Sequence, residues 1–254
     1  MKIGACNYSG KNVCEEIDWI GRHGFEFVDL LLMADGLKPE KIEIDRIVRL
    51  LRKYKLGVLG HTSWYLPFGS SIKAIRQAAV EECAKYFPYF SVAGVRYVAV
   101  HASWPDKIFS DEAGVEFQAE SYKRLVELAE KHGLSLMYEH TDTPKDTVEN
   151  AARVLSKVPG LLFNLDFGHA SVYGRKPEDF IRAFHKKLVH VHVHESKRDV
   201  DLHLPVGVGD TDTAGAVACL KKYYNGTITL EIFSRYRKSI LLSRDIFKDL
   251  WQKS

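Results

Sequence analysis

Short apolar runs alternate with longer amphipathic stretches from one end of the chain to the other. Lys2–Cys6 reads as a strand, and Asn12–His23 follows with Val13, Ile17 and Ile20 near helical spacing before Gly24 stops it. Phe25–Leu32 is a second strand. Pro39–Tyr54 puts Ile42, Ile47, Leu50 and Leu51 on one helical face, with its proline near the start, where a missing N–H costs nothing. Leu56–His61 is a third strand, and Ser71–Ala93 a long helical region that Pro88 kinks or breaks. A strand at Val95–His101, a helix at Asp111–His132 closed by Gly133, a strand at Leu134–Glu139 and a helix at Lys145–Lys157 come next. Leu161–Asp166, Leu188–His194 and Thr227–Phe233 complete the strands, and Pro177–His185, Thr213–Tyr223 and Ser239–Trp251 the helices.

Eight strand-then-helix units imply a parallel sheet with its helices outside. Eight units in 254 residues favour a closed (β/α)8 TIM barrel of the α/β class over an open sheet. No Pro/Gly/Ser-rich linker or charge block divides the chain, so one domain over residues 1–254 is expected. Hydrophobic residues at 46% and charged residues at 27% are ordinary for a soluble protein. No apolar run approaches the roughly 20 residues that span a bilayer, and Met1–Gly10 has no apolar core of leader type, so no membrane partner is expected. Cys6, Cys14, Cys83 and Cys219 lie far apart and form no C-x-x-C pair, which argues for free thiols and a cytoplasmic setting. A net charge of +3 is too small to attract nucleic acid in bulk. No glycine-rich nucleotide cradle follows the first strand. A homo-oligomer is compatible with the sequence.

The ends of the strands change the picture. The third and fourth close on His61 and His101, the fifth on Glu139-His140, and the sixth on Asp166 with His169 three residues on. The seventh runs through His190, His192 and His194 to Glu195 and leads into Asp201-Leu202-His203, and the eighth carries Glu231. A parallel barrel aims its strand ends at one mouth, so these groups must converge. Converging carboxylates repel unless positive charge stands between them, and imidazole with carboxylate suits Zn²⁺, Mn²⁺, Co²⁺ or Fe²⁺. The period of a strand puts His190, His192 and His194 on one face at different depths, with His190 deepest and His192 or His194 near the mouth.

These residues resemble the xylose isomerase-like TIM barrels, a superfamily of sugar phosphate isomerases and epimerases that also holds endonuclease IV. The resemblance rests on Glu139, Asp166-Phe167-Gly168-His169, His192 with Glu195 three residues later, Asp201-Leu202-His203 before Gly207 and Gly209, and Glu231. It implies one divalent metal (Mn, Zn, Co or Mg) held by Glu139, Asp166, His192 and Glu231, and it favours His192 over His194. It further implies a small sugar or sugar phosphate as substrate. Glu139 and Glu231 would act as acid and base on either side of the sugar, moving a proton through an enediolate. His169 would orient a hydroxyl, and Trp64 and Trp104 would wall the sugar pocket.

Endonuclease IV supplies the alternative, a zinc phosphodiesterase acting on abasic nucleic acid with up to three zinc ions. Its extra ligands map onto His61, His101, His169, Asp201 and His203. Against it, the first strand ends Gly4-Ala5-Cys6-Asn7, without the family's usual histidine, and Met33-Ala34-Asp35-Gly36 lacks the basic residues that enter a DNA groove. No basic stripe would neutralise several phosphates, although Arg235 and Arg237 after the eighth strand offer partners for one phosphate or carboxylate.

Overall fold

Side chains that compete with the backbone for hydrogen bonds set the helix starts. Asn12 accepts from the N–H groups of Cys14 and Glu15 and opens α1 (Val13–Arg22). Ser110, Thr147 and Asp212 do the same for α5 (Asp111–Glu130), α6 (Val148–Lys157) and α8 (Thr213–Leu220). Pro177 opens α7 (Pro177–Phe184), and α9 (Lys238–Lys253) ends the chain. Two expected helices are divided. Pro39–Lys41 makes a single 3₁₀ turn, Ile42 turns extended and buries its side chain, and only then does α2 (Ile44–Tyr54) begin. The 71–93 stretch becomes α3 (Lys73–Ala84) and α4 (Phe87–Ala93), with Pro88 in the first turn of α4, where it removes no helical bond. The computed structural model describes residues 1–7, 10–32 and 38–254.

Eight strands close into a parallel barrel: β1 (Lys2–Cys6), β2 (Phe27–Leu31), β3 (Gly57–His61), β4 (Tyr97–His101), β5 (Ser135–Glu139), β6 (Leu162–Asp166), β7 (Leu188–Val193) and β10 (Thr227–Leu230). Around the barrel the order is β1-β10-β7-β6-β5-β4-β3-β2, so the first and last strands pair and no sheet edge remains. This is a single-domain TIM barrel. Its apolar core lies between the strands and the surrounding helices, where residues such as Ile17, Leu125, Val154 and Phe180 are fully buried. Gly4 leaves room in β1 for the Phe27 ring, since a Cβ there would lie 2.4 Å from it. No helix of the described residues is long and apolar enough to cross a membrane.

Register decides which polar groups become neighbours. Cys6 pairs across β1 and β2 with Asp29, Leu31 with His61, His101 with Glu139, and Asp166 with His192. The eighth barrel strand stops at Leu230 rather than Phe233, because the chain then turns toward an added hairpin; Phe233 N–H donates to His203 O at 3.3 Å.

That hairpin, β8 (Glu195–Lys197) and β9 (Val200–Leu204), occupies a stretch that the sequence reads only as a connection. Its turn residues Arg198 and Asp199 have φ of 52° and 58°, the left-handed pair of a tight primed turn. Buried Glu195 anchors its base by accepting hydrogen bonds from Gly207 N–H (2.9 Å), Gly209 N–H (2.7 Å) and Thr213 Oγ1 (2.6 Å). Glu195→Ala leaves these donors without their acceptor, at a cost of about 3 kcal/mol. Thermal denaturation should show a melting temperature lower by roughly 6 to 12 °C; an unchanged value would remove Glu195 from this role.

Candidate metal centre

Four residues from four strand ends meet on the barrel axis. Glu139, Asp166, His192 and Glu231 each offer an atom within 4.8 Å of the others, and all four are buried. His192 Nδ1 faces three carboxylates at once, 3.1 Å from Glu139 Oε1, 3.1 Å from Glu231 Oε2 and 3.9 Å from Asp166 Oδ2. A single ring proton cannot serve three acceptors. Asp166 Oδ2 and Glu231 Oε2 have no aligned hydrogen bond. Buried lone pairs with nothing to accept call for a cation, so this N/O set fits a divalent ion. Between His192 and His194, left open by strand period alone, the structure directs His192 to this group. His190 lies deeper, bonded to Thr227 and Thr229 hydroxyls.

Two supporting residues escaped the reading of the sequence. Asp29, in the middle of β2, places Oδ2 2.8 Å from His192 Nε2 and so orients the ring from behind. Asn164 of β6 donates to Glu139 Oε2 at 2.8 Å and ties down that carboxylate. A buried aspartate inside an apolar run was the available signal, because such a charge is rarely left without a partner.

The further histidines and acids fall into neighbouring groups. His169, Asp201 and His203 come together with His194, and His61 and His101 with Glu139. Asp166 bridges toward the first of these, with Oδ1 2.9 Å from His194 Nε2, while Asp201 Oδ2 reaches His203 Nε2 at 3.0 Å and His169 Nε2 at 3.3 Å. Gly168 is required here, since a Cβ would lie 1.9 Å from the His194 ring. His203 sits on the added hairpin with φ of 46°, a strained conformation that places its ring against His194 and Phe233.

The electrostatics follow the packing. Burial penalises the His192 imidazolium, yet Glu139, Glu231 and Asp29 outweigh it and hold its pKa well above the ordinary value. His169 is held high in the same way by Asp166 and Asp201, and His203 is raised to about 9 by its bond to Asp201 against the effect of burial. Burial drives His101 down to about 4 despite the pull of Glu139, so it stays neutral. Glu139 and Asp166 remain ionised against burial because histidines surround them.

A cavity of about 610 Å³ opens above this cluster. Its floor includes His61, His101, His169, Asp201, His203 and Glu231, and its walls include Trp64, Tyr65, Trp104 and Phe233. Glu231 reaches the cavity, while Glu139 lies fully buried beneath it. Trp104 is fixed by donating its ring N–H to buried Asp146 at 2.8 Å, and Asp146 also accepts from Thr141 and Thr143. Among the described residues no Lys or Arg lines the cavity. Arg237 does not turn to the mouth: it pairs with Glu16 of α1 and lies over Trp19. The 33–36 loop falls outside the described residues.

Residues 17–250 match the family described as xylose isomerase-like TIM barrel, and the chain belongs to it. Similar solved structures include a D-tagatose 3-epimerase-like protein, 20% identical with a TM-score of 0.89, covering 100% of this chain and 98% of that one. A D-allulose 3-epimerase from Methylomonas sp. is 19% identical with a TM-score of 0.79, over 100% and 98% of the two chains. The IolI protein with a bound zinc atom is 18% identical with a TM-score of 0.81, over 100% and 99%. At these identities the likeness establishes the fold. No curated protein sequence matches the chain significantly.

Removing the Asp29 charge behind His192 while keeping its shape, as in Asp29→Asn, should weaken divalent-cation binding about 10- to 100-fold in calorimetry; unchanged affinity would contradict the orienting role. Cation binding should also weaken as the pH is lowered. The sign follows from His192, whose raised pKa keeps a competing proton on the ring to higher pH, so that lowering the pH favours the proton over the cation.

Proposed function

We propose that this xylose isomerase-like TIM barrel is a divalent-metal-dependent sugar isomerase or epimerase, which moves a proton beside a carbonyl through an enediolate. The observation that carries this reading is the buried Glu139–Asp166–His192–Glu231 group beneath a cavity with aromatic walls. These four residues would hold the cation. When bound, the cation supplies Lewis acidity, polarising a carbonyl and its neighbouring hydroxyl and acidifying the C–H between them.

The chain's own residues do the rest. Glu231, at the cavity floor, would be the carboxylate that takes or returns the proton. Glu139 offers Oε1 from below, its other oxygen held by Asn164. His169, whose Nδ1 contacts the His140 carbonyl at 2.9 Å, presents Nε2 toward Asp201 and would orient a substrate hydroxyl. Trp64 and Trp104 would pack on the apolar face of the sugar and exclude water. The sugars named for the D-tagatose 3-epimerase-like and D-allulose 3-epimerase structures support a substrate of that class.

One observation favours a second reading, zinc phosphodiester hydrolysis. The nine residues that the resemblance to endonuclease IV marks out fall into groups that could each hold an ion. The absence of Lys or Arg from the described cavity lining weighs against a phosphodiester substrate. A nicking assay on abasic duplex separates the two readings.

The wild-type protein should exchange substrate C–H for solvent deuterium, and chelation should abolish the exchange. Glu139→Gln should lower it by at least 100-fold while retaining part of the cation binding. Exchange by this variant at the wild-type rate, measured by NMR, would remove Glu139 from proton transfer.

A further inference from the structure

β1 is the one barrel strand whose polar end the centre above does not use. It lies between β10 and β2, which sets Cys6 between the Glu231 end of one neighbour and Asp29 of the other. Cys6 Sγ, a ring nitrogen of His61 and a Glu231 oxygen lie within 4.8 Å of one another. Small side-chain rotations close such a spacing to the ligand distances of one ion. The three residues come from three separate strand ends, β1, β3 and the residue after β10.

Glu231 is divided between two places. Its Oε2 lies 3.1 Å from His192 Nδ1, in the first group, while its Oε1 lies 3.9 Å from His61 Nδ1. His61 Nδ1 is buried and has no hydrogen-bond partner, and His61 is only 2% exposed. Asp29 Oδ2 lies 2.8 Å from His192 Nε2, on the far side of that ring from the first group, and 3.7 Å from His61 Nδ1, the nitrogen that also faces Glu231, so one carboxylate stands beside both groups. The donor types differ, however. The first group is one imidazole and three carboxylates, which suits hard or borderline ions such as Mg²⁺ and Mn²⁺, whereas a thiolate with imidazole and carboxylate selects a soft ion.

The geometry points to a second cation site, Cys6–His61–Glu231, that takes a thiophilic divalent ion such as Zn²⁺ or Co²⁺ beside the first centre, with Glu231 bridging the two. Binding there forms a metal–sulfur bond and releases the thiol proton to solvent, with no change of oxidation state. It places Cys6 at the site as a ligand and leaves the other three cysteines, Cys14 in α1, Cys83 in α3 and Cys219 in α8, outside it. Three protein ligands leave a position open for water or another small donor. Because both Glu231 oxygens are then engaged, loading this site withdraws the carboxylate from the cavity, whatever reaction the first centre performs.

Cobalt reports sulfur ligation directly. Metal-stripped protein titrated with Co²⁺ should develop the intense near-ultraviolet band of a thiolate–cobalt bond, together with the weak visible bands of cobalt held by nitrogen and oxygen. Cys6→Ser should lose the near-ultraviolet band and one bound equivalent, and keep the visible bands of the first centre. The proposal is overturned if wild type shows no thiolate band, or if Cys6→Ser retains it, which would assign another thiol. It is equally overturned if Cys6→Ser binds no cobalt at all, since the thiol would then belong to the first centre. None of these readouts depends on turnover, so failure here leaves the proposed isomerase reaction standing, and loss of deuterium exchange leaves this site standing.

Discussion

Asp29, Glu139, Asp166 and Glu231 are driven together, out of water, at one end of a closed barrel. Like charges at such separations repel strongly where water cannot screen them, and each buried carboxylate must find a proton, a hydrogen bond or a cation. The fold supplies imidazoles, and their raised pKa values show how strongly the cluster demands positive charge. A protonated imidazole answers that demand only in part, because its one proton at Nδ1 faces three oxygens. Much of the neighbouring structure exists to hold these groups in place in spite of their repulsion.

The holding is done by residues with ordinary roles elsewhere. Asp29 orients His192 from behind, and Asn164 fixes Glu139 from the side. Glu195 locks the hairpin that carries Asp201 and His203 over the mouth, and Asp146 locks Trp104 in the wall. Glu195 and Asp146 are buried acceptors that each satisfy several donors from different segments, which braces the mouth and gives it rigidity. The φ of 46° at His203 shows that this rigidity is strong enough to impose a strained backbone where the ring is needed.

The strand ends were readable because their signal is local: an apolar run closes on His61, His101, Glu139 or Asp166, and a parallel barrel sends all such ends to one side. The alternation of His190, His192 and His194 followed from the period of a strand in the same way. Less was legible where the cause lay in a neighbour. Ile42 interrupts an otherwise helical pattern because the core takes its side chain. The β8–β9 hairpin has short polar strands that pair only with each other, and Arg237 turns from the mouth because Glu16 of α1 is within reach. Asp29 looked like an interruption in an apolar strand until its neighbours around the barrel were known.

The amino-acid sequence alone determined the alternation of strand and helix, the closed parallel barrel and the gathering of imidazoles and carboxylates at its mouth, because periodicity and strand direction act over a few residues at a time. Only the tertiary structure decided how those groups were shared out: His192 to one cluster and His194 to another, Asp29 behind the His192 ring, and Glu231 with one oxygen toward each of two groups. Those assignments depend on inter-strand register and on distances of a few ångströms between residues remote in the chain, which no local pattern encodes.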